Sequence, residues 1–261
     1  MKILVTNDDG VRSDGLWALV RELEKIGQVT VVAPDGERSA IGTAVTLFQP
    51  LHAVEAESPV AAVKAYAIDG SPSDCVILAL GNLIKDKVDI IVSGINPNLN
   101  VGEDVYISGT VGAALQGYFR GLPALAVSAP PGSQRGLESA AILAAMLAVR
   151  IAGSTSEKVF INLNVPDMPL SDVAGVKITR LARSSHINTV EEGNDGHRQQ
   201  YHLVRSRLTN TGENTDIQAI EQGYVSITAL YTSLLDKPPQ RLLHRLCHEL
   251  NHELEKNRKS A

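Results

Sequence analysis

Lys2-Ile3-Leu4-Val5-Thr6-Asn7-Asp8-Asp9-Gly10 opens the chain with an apolar strand that runs straight into two adjacent carboxylates and a glycine. A short apolar run closed by such a turn reads as a strand buried inside a parallel sheet. In an open α/β sheet, ligands bind at the carboxyl ends of the strands, where this pair lies. Two neighbouring aspartates repel each other, and burial raises the cost of ionising both, so the pair makes chemical sense when a cation neutralises it. Behind Gly10, Leu16, Leu19, Val20 and Leu23 recur at helical spacing, with Ser13 and Asp14 as caps, which sets the acidic loop against a helix N-terminus.

Working outward, further strand-like runs occur at Val29–Ala33, Ala65–Ile68, Ile90–Ser93, Ala124–Ser128 and Val159–Leu163, with helical stretches between most of them. This alternation predicts an α/β fold, a Rossmann-like mostly parallel sheet flanked by helices. The apolar segment Ala140–Val149, closed by Arg150, is too short to span a bilayer and reads as a buried helix. Near Ser184 the texture turns polar and loses its period, and long excursions of this kind serve function or a partner. Past it come a short alternating strand at Tyr201–Val204, completing a hairpin, then an apolar strand at Tyr224–Leu230 returning to the core. A terminal helix follows from about Pro239. We therefore divide the chain into a metal- and phosphate-binding core, 1–183, and an extension for oligomerisation, 184–261. The stripe Leu243, Leu246, Leu250, Leu254 asks for an apolar partner. The expectation is that this helix and the 184–215 excursion are exchanged in a homodimer or a dimer of dimers.

Composition narrows the function. At 261 residues the chain can bury a full core, and its formal net charge of −5 argues against a surface that tracks long nucleic acid. A small phosphorylated ligand needs only a local site. Cys75 and Cys247 cannot build a disulfide framework, and with no signal-peptide pattern they suit a reducing, cytoplasmic setting without membrane association.

Three more loops follow strand ends. In Ala33–Gly42, Arg38 and Ser39 could face an anion. In Val92–Asp104, Asn96 stands just past a strand end, where its amide oxygen suits a hard cation. Tyr106–Gly117 is a small-residue loop entering a helix, and N–H groups at such an N-terminus beside the Ser108 and Thr110 hydroxyls bind phosphate. A cation site next to an anion pocket points to phosphoryl chemistry. A competing motif, His248-Glu249-Leu250-Asn251-His252, matches the zinc-protease pattern on a predicted helix. Its histidines, however, lie two residues, roughly 200°, out of step with the leucine stripe and face away from the core.

Taken in order, Ile3–Gly10, Ala33-Pro34 with Arg38-Ser39, Asp69-Gly70-Ser71-Pro72-Ser73-Asp74, Ser93-Gly94-Ile95-Asn96 with Asn100 and Gly102, and Ser108-Gly109-Thr110 resemble the survival protein E (SurE) nucleotidases. The likeness continues through Asp216, Ala219 and Gly223–Thr228. It implies a divalent-metal-dependent phosphatase of nucleoside monophosphates, 5′, 3′ or both, using Mg²⁺ or Mn²⁺. The implied metal ligands are Asp8, Asp9, Ser39 and Asn96, with Asp8, Asp9 and Asn96 catalytic. Ser39, Asn100, Ser108, Gly109 and Thr110 would contact the phosphate. Activated water and a carboxylate attacking phosphorus are both open as nucleophiles. Two segments depart from the family pattern: Pro97-Asn98, where a glycine is usual two residues after the asparagine, and Ala40-Ile41-Gly42-Thr43, where hydroxyls and histidine are usual. An alternative is a receiver-like Mg²⁺-binding signalling domain, but the position after Ile90–Ser93 supplies Gly94 and Asn96 and no acceptor aspartate.

Overall fold

The computed structural model describes residues 1–130, 134–153, 159–184, 187–194, 199–205, 212–230 and 240–260. Strands and helices alternate from the start: β1 (Lys2–Thr6), α1 (Asp14–Glu24), β2 (Gln28–Pro34), β3 (Ala53–Ala56), β4 (Lys64–Ile68), α2 (Pro72–Leu78), β5 (Ile90–Asn96), α3 (Gly109–Phe119), β6 (Ala124–Ser128), α4 (Gln134–Ala152) and β7 (Phe160–Asn164). The rest comprises β8 (Gly175–Thr179), β9 (Ile187–Asn194), β10 (Gln199–Arg205), α5 (Asp216–Glu221), β11 (Tyr224–Ala229) and α6 (Gln240–Ser260).

The main sheet has the order β3-β4-β2-β1-β5-β6-β7-β11-β8. From β4 to β7 every neighbouring pair is parallel. That six-strand run has the order of the dinucleotide-binding folds, and the direction of winding reverses between β1 and β5. A parallel strand needs a crossover helix, which is why fully buried runs such as Ile90–Asn96 alternate with amphipathic helices. One face of the sheet is covered by α1, α4 and α6 and the other by α2 and α3, giving two apolar layers. The Ala140–Val149 stretch is part of α4, packed against the sheet and α1.

Three elements went unread in the sequence. The edge strand β3 is largely exposed and pairs antiparallel with β4, so it carries no buried stripe. Strand β8 is sandwiched between polar turns, and α5 is a six-residue helix, too short for a period. The polar stretch after Ser184 is itself a strand. β9 pairs with β10 in an antiparallel ribbon that places Leu203 opposite Val190 and Tyr201 opposite Glu192. Val190, Tyr201 and Leu203 are exposed there, and with polar residues on both faces no alternation marks β9.

The C-terminal segment turns back into the sheet. β11 lies between β7, to which it is antiparallel, and β8, to which it is parallel. Leu243, Leu246, Leu250 and Leu254 are buried within this one chain, with α6 against α4 and β8. The leucine stripe thus finds its apolar cover without a second copy. Arg150 on α4 reaches Glu249 on α6 at 2.6 Å, and Asn251 accepts the Val176 N–H at 2.7 Å.

Candidate active site

Strands β1 and β5 pair Thr6 with Ser93, and three residues further along each lie Asp9 and Asn96. Both therefore stand at the switch point, where adjacent crossovers diverge and leave a crevice. Asn7 builds the tip of the first loop. Its side chain donates to the Gly10 carbonyl at 3.1 Å and to Ser13 Oγ at 2.7 Å, and it accepts from the Gly10 N–H at 3.2 Å. This closed Asx turn presents the two aspartates. Gly10 sits at φ +98, where a side chain is strained, and a Cβ would approach the Gly36 backbone to 3.0 Å. The second loop thereby lies against the first, and the Arg38 N–H donates to the Asp8 carbonyl at 2.7 Å.

Asp8 is buried and points at the N-terminus of α3, where the Thr110 hydroxyl and backbone N–H both donate to its carboxylate. Gly109 makes this approach possible, since a Cβ there would lie 2.8 Å from that of Asp8. Burial nonetheless pushes the Asp8 carboxyl above its ordinary range, the Thr110 hydrogen bonds opposing the shift. Asp9 is pushed up to about 7, first by loss of solvent and then by the negative charges of Asp8 and Glu37. Its Oδ2 is buried and has no hydrogen-bond partner among the described residues.

The remaining sequence-derived residues divide. The Asn96 side chain is buried and its amide nitrogen donates to the Asn98 carbonyl, which leaves Oδ1 as the end open to a cation. Ser39 is exposed, and its hydroxyl donates to Glu37 Oε1 at 2.8 Å. The Arg38 guanidinium is engaged by Asp35 at 2.9 Å. Ser108 caps α3 by accepting the Val111 N–H at 3.1 Å. Asn100 is an anchor of the β5–α3 loop. Its side chain donates to Ser128 Oγ at 2.9 Å, its N–H to Asn164 Oδ1 at 3.0 Å, and its carbonyl accepts from Asn162 at 2.7 Å and Asn164 at 3.0 Å. Sequence reading missed Glu37 and the Asn162–Asn164 pair. Glu37 lies one residue from Arg38 in a loop already singled out, and two asparagines alternating within a buried strand are themselves a signal of a polar network.

The acid pair fits a hard divalent cation. Two carboxylates held above their usual range, one with a buried oxygen lacking a donor, gain both charge compensation and a ligand from such an ion. An amide oxygen from Asn96 and a hydroxyl from the Ser39 loop would complete an all-oxygen set. Among the described residues no group of three or more His, Cys, Asp or Glu side chains could hold a metal. That bears on the zinc-protease motif: His248 and His252 are exposed on α6, Glu249 is tied to Arg150, and Leu250 is in the core.

A Rossmann-ordered sheet with an acid pair at its switch point and a helix N-terminus behind it defines an α/β protein whose strand ends carry an acid pair of the kind that suits a cation. The sequence model of the family described as Survival protein SurE matches residues 3–188. A protein from Dehalococcoides mccartyi (strain CBDB1), named 5′-nucleotidase SurE, is 51% identical over 243 residues, covering 91% of each chain. One of the same name from Histophilus somni (strain 2336) is 40% identical over 237 residues, covering 90% of this chain and 94% of that protein. The crystal structure of SurE protein from Aquifex aeolicus superposes with a TM-score of 0.76 at 30% identity, over 95% of this chain and 99% of that one. The chain belongs to the SurE family.

Proposed function

We propose that the chain is a divalent-cation-dependent nucleotidase that hydrolyses nucleoside monophosphates, 5′-phosphates among them, to nucleoside and phosphate. The observation that carries this reading is the Asp8–Asp9 pair, Asp8 buried against the N-terminus of α3 and Asp9 with a buried Oδ2 that has no partner among the described residues, in a chain 51% identical to a protein named 5′-nucleotidase SurE. Asp8, Asp9 and Asn96, joined by Ser39, would hold Mg²⁺ or Mn²⁺. When bound, such a cation supplies charge neutralisation at the phosphoryl oxygens and acidifies water.

The chain's own groups do the rest. The Gly109 N–H at the start of α3, and the Thr110 hydroxyl now shared with Asp8, orient the phosphate oxygens, aided by the positive end of the helix dipole. Ser108 fixes that N-terminus by capping it, and Asn100 fixes the loop that follows Asn96. The oxygen of water, or an aspartate oxygen followed by water, forms the new bond to phosphorus as the ester P–O bond breaks, and the nucleoside leaves as an alcohol after taking up a proton. Residues 1–183 carry this chemistry, and 184–261 serve association into a homodimer or dimer of dimers through the β9–β10 ribbon. Among the described residues no helix is long and apolar enough to cross a membrane, and a cytoplasmic setting accords with two buried free thiols.

Phosphate release from a panel of 5′- and 3′-nucleoside monophosphates, with and without Mg²⁺ or Mn²⁺, tests the reading. Cation-dependent release from nucleotides supports it, and absence of release from every nucleotide refutes it.

A further inference from the structure

Asp8 and Asp9 are consecutive, yet they serve opposite faces of the sheet. Asp8 points to α3, whereas Asp9 lines a cavity of about 360 Å³ on the other face, between the N-terminal ends of α1 and α4. This volume falls within the usual span of small-molecule sites, about 300–1,000 Å³. Its walls are of two kinds: Pro97, Pro130 and Leu137 are apolar, and Asp9, Asp14 and Gln134 are polar. The Asp14 side chain makes no hydrogen bond or ion pair among the described residues.

We propose that this cavity is the nucleoside subsite, receiving the sugar and base of a nucleotide whose phosphate lies at the acid pair; the assignment rests on the nucleotidase reading above. Continuity is the first argument. Because Asp9 belongs to both the acid pair and the cavity wall, a group joined to the phosphate by one ester oxygen passes directly from one into the other. Charge is the second. Two carboxylates repel a second anionic group, so the cavity selects a neutral moiety rich in donors over a further phosphate. Ionised carboxylates accept hydrogen bonds from vicinal hydroxyls, the role an acidic residue plays toward ribose in dinucleotide-binding sheets. Asp14, whose side chain is unengaged among the described residues, is the acceptor we assign to the sugar, with Gln134 also lining the cavity. The Pro97, Pro130 and Leu137 wall then offers the base an apolar surface without hydrogen-bond readout, which predicts weak discrimination among bases.

The test is steady-state kinetics of the full-length, cation-loaded protein on nucleoside monophosphates and on glycerol 2-phosphate, which has no ring sugar or base. It is paired with calorimetric binding of the free nucleosides. Asp14→Asn and Leu137→Phe should each lower the kcat/KM ratio of nucleotide to glycerol 2-phosphate about tenfold, the scale of one charge-assisted hydrogen bond. The change should lie mainly in KM, and nucleoside affinity should fall in parallel. Should Leu137→Phe fail to fold, Asp14→Asn, on an exposed first turn, answers alone. A ratio within twofold of wild type in Asp14→Asn, with nucleoside binding unchanged, overturns the assignment. A wild type that cleaves glycerol 2-phosphate but no nucleotide overturns the nucleotidase reading itself, a result distinguishable because it needs no variant.

Discussion

Two aspartate centres in this chain have opposite hydrogen-bond accounts. Asp216, fully buried, accepts from the backbone N–H groups of Gly102 at 2.7 Å, Ala182 at 2.9 Å and Ile217 at 2.9 Å. It clasps the loop after Asn96, the chain entering the β9–β10 ribbon, and α5. Burial still raises its carboxyl, with the three N–H bonds pulling the other way. At the acid pair the donors run out, for among the described residues Asp9 keeps a buried oxygen without one. A carboxylate whose lone pairs are met by the fold is an anchor, and one left unmet beside a like charge is a candidate site.

The comparison breaks or sharpens most at the acid pair. Asp8→Asn and Asp9→Asn should each lower kcat on a nucleoside monophosphate by about 10² or more, the range seen when one electrostatic group is removed from a reacting centre, with circular dichroism unchanged. Near-wild-type turnover in either variant would place the chemistry elsewhere. Exhaustive chelation should likewise abolish phosphate release, and Mg²⁺ or Mn²⁺ should restore it.

Asp216→Asn should do the reverse, costing stability first. Its amide nitrogen would face N–H donors, leaving at least one unpaired, for a loss of about 1–3 kcal/mol. Calorimetric melting of the cation-free protein measures this, and an unchanged Tm would mean that the clasp is dispensable.

pH separates the centres more finely. The folded Asp9 carboxyl titrates at about 7 against an ordinary 3.8, so between these values the folded state holds a proton that the unfolded chain has lost. Stability of the cation-free protein should therefore fall as pH rises from about 4 to about 7 and level off above. Asp9→Asn should flatten that slope, and at pH 8 the cation-free variant should melt no lower than wild type. A slope as steep in the variant as in the wild type would deny the strain.

The smallest effect is expected on α6. His248→Ala with His252→Ala should leave phosphate release within about twofold, as surface substitutions away from a site do. A large loss at unchanged assembly would reinstate the histidine motif.

What the sequence discloses follows from how local its physics is. The six parallel strands and the Asp8-Asp9 turn are legible because period and turn chemistry lie within a dozen residues. The Leu243–Leu254 stripe is legible too, but not its partner, which lies on α4 and β8, far along the chain. Asn100 shows the same limit. As a residue type in a loop it suits a ligand, and only the folded sheet brings Asn162, Asn164 and Ser128 to it. Glu37 is not legible as part of the site because its influence on Asp9 acts across the gap between two loops.

The placing of β11 between β7 and β8 also bears on how the chain is made. During synthesis β8 leaves the ribosome well before the strand that alone pairs with it in the sheet, and β7 meanwhile has an unpaired edge. At about 5–20 residues per second, the nascent protein spends seconds with two unsatisfied strands. Open edges of that kind invite pairing with other chains. A message truncated or stalled before Tyr224 would thus release a product with its acid pair already encoded and its sheet unfinished, a substrate for chaperones and proteases before it could be an enzyme.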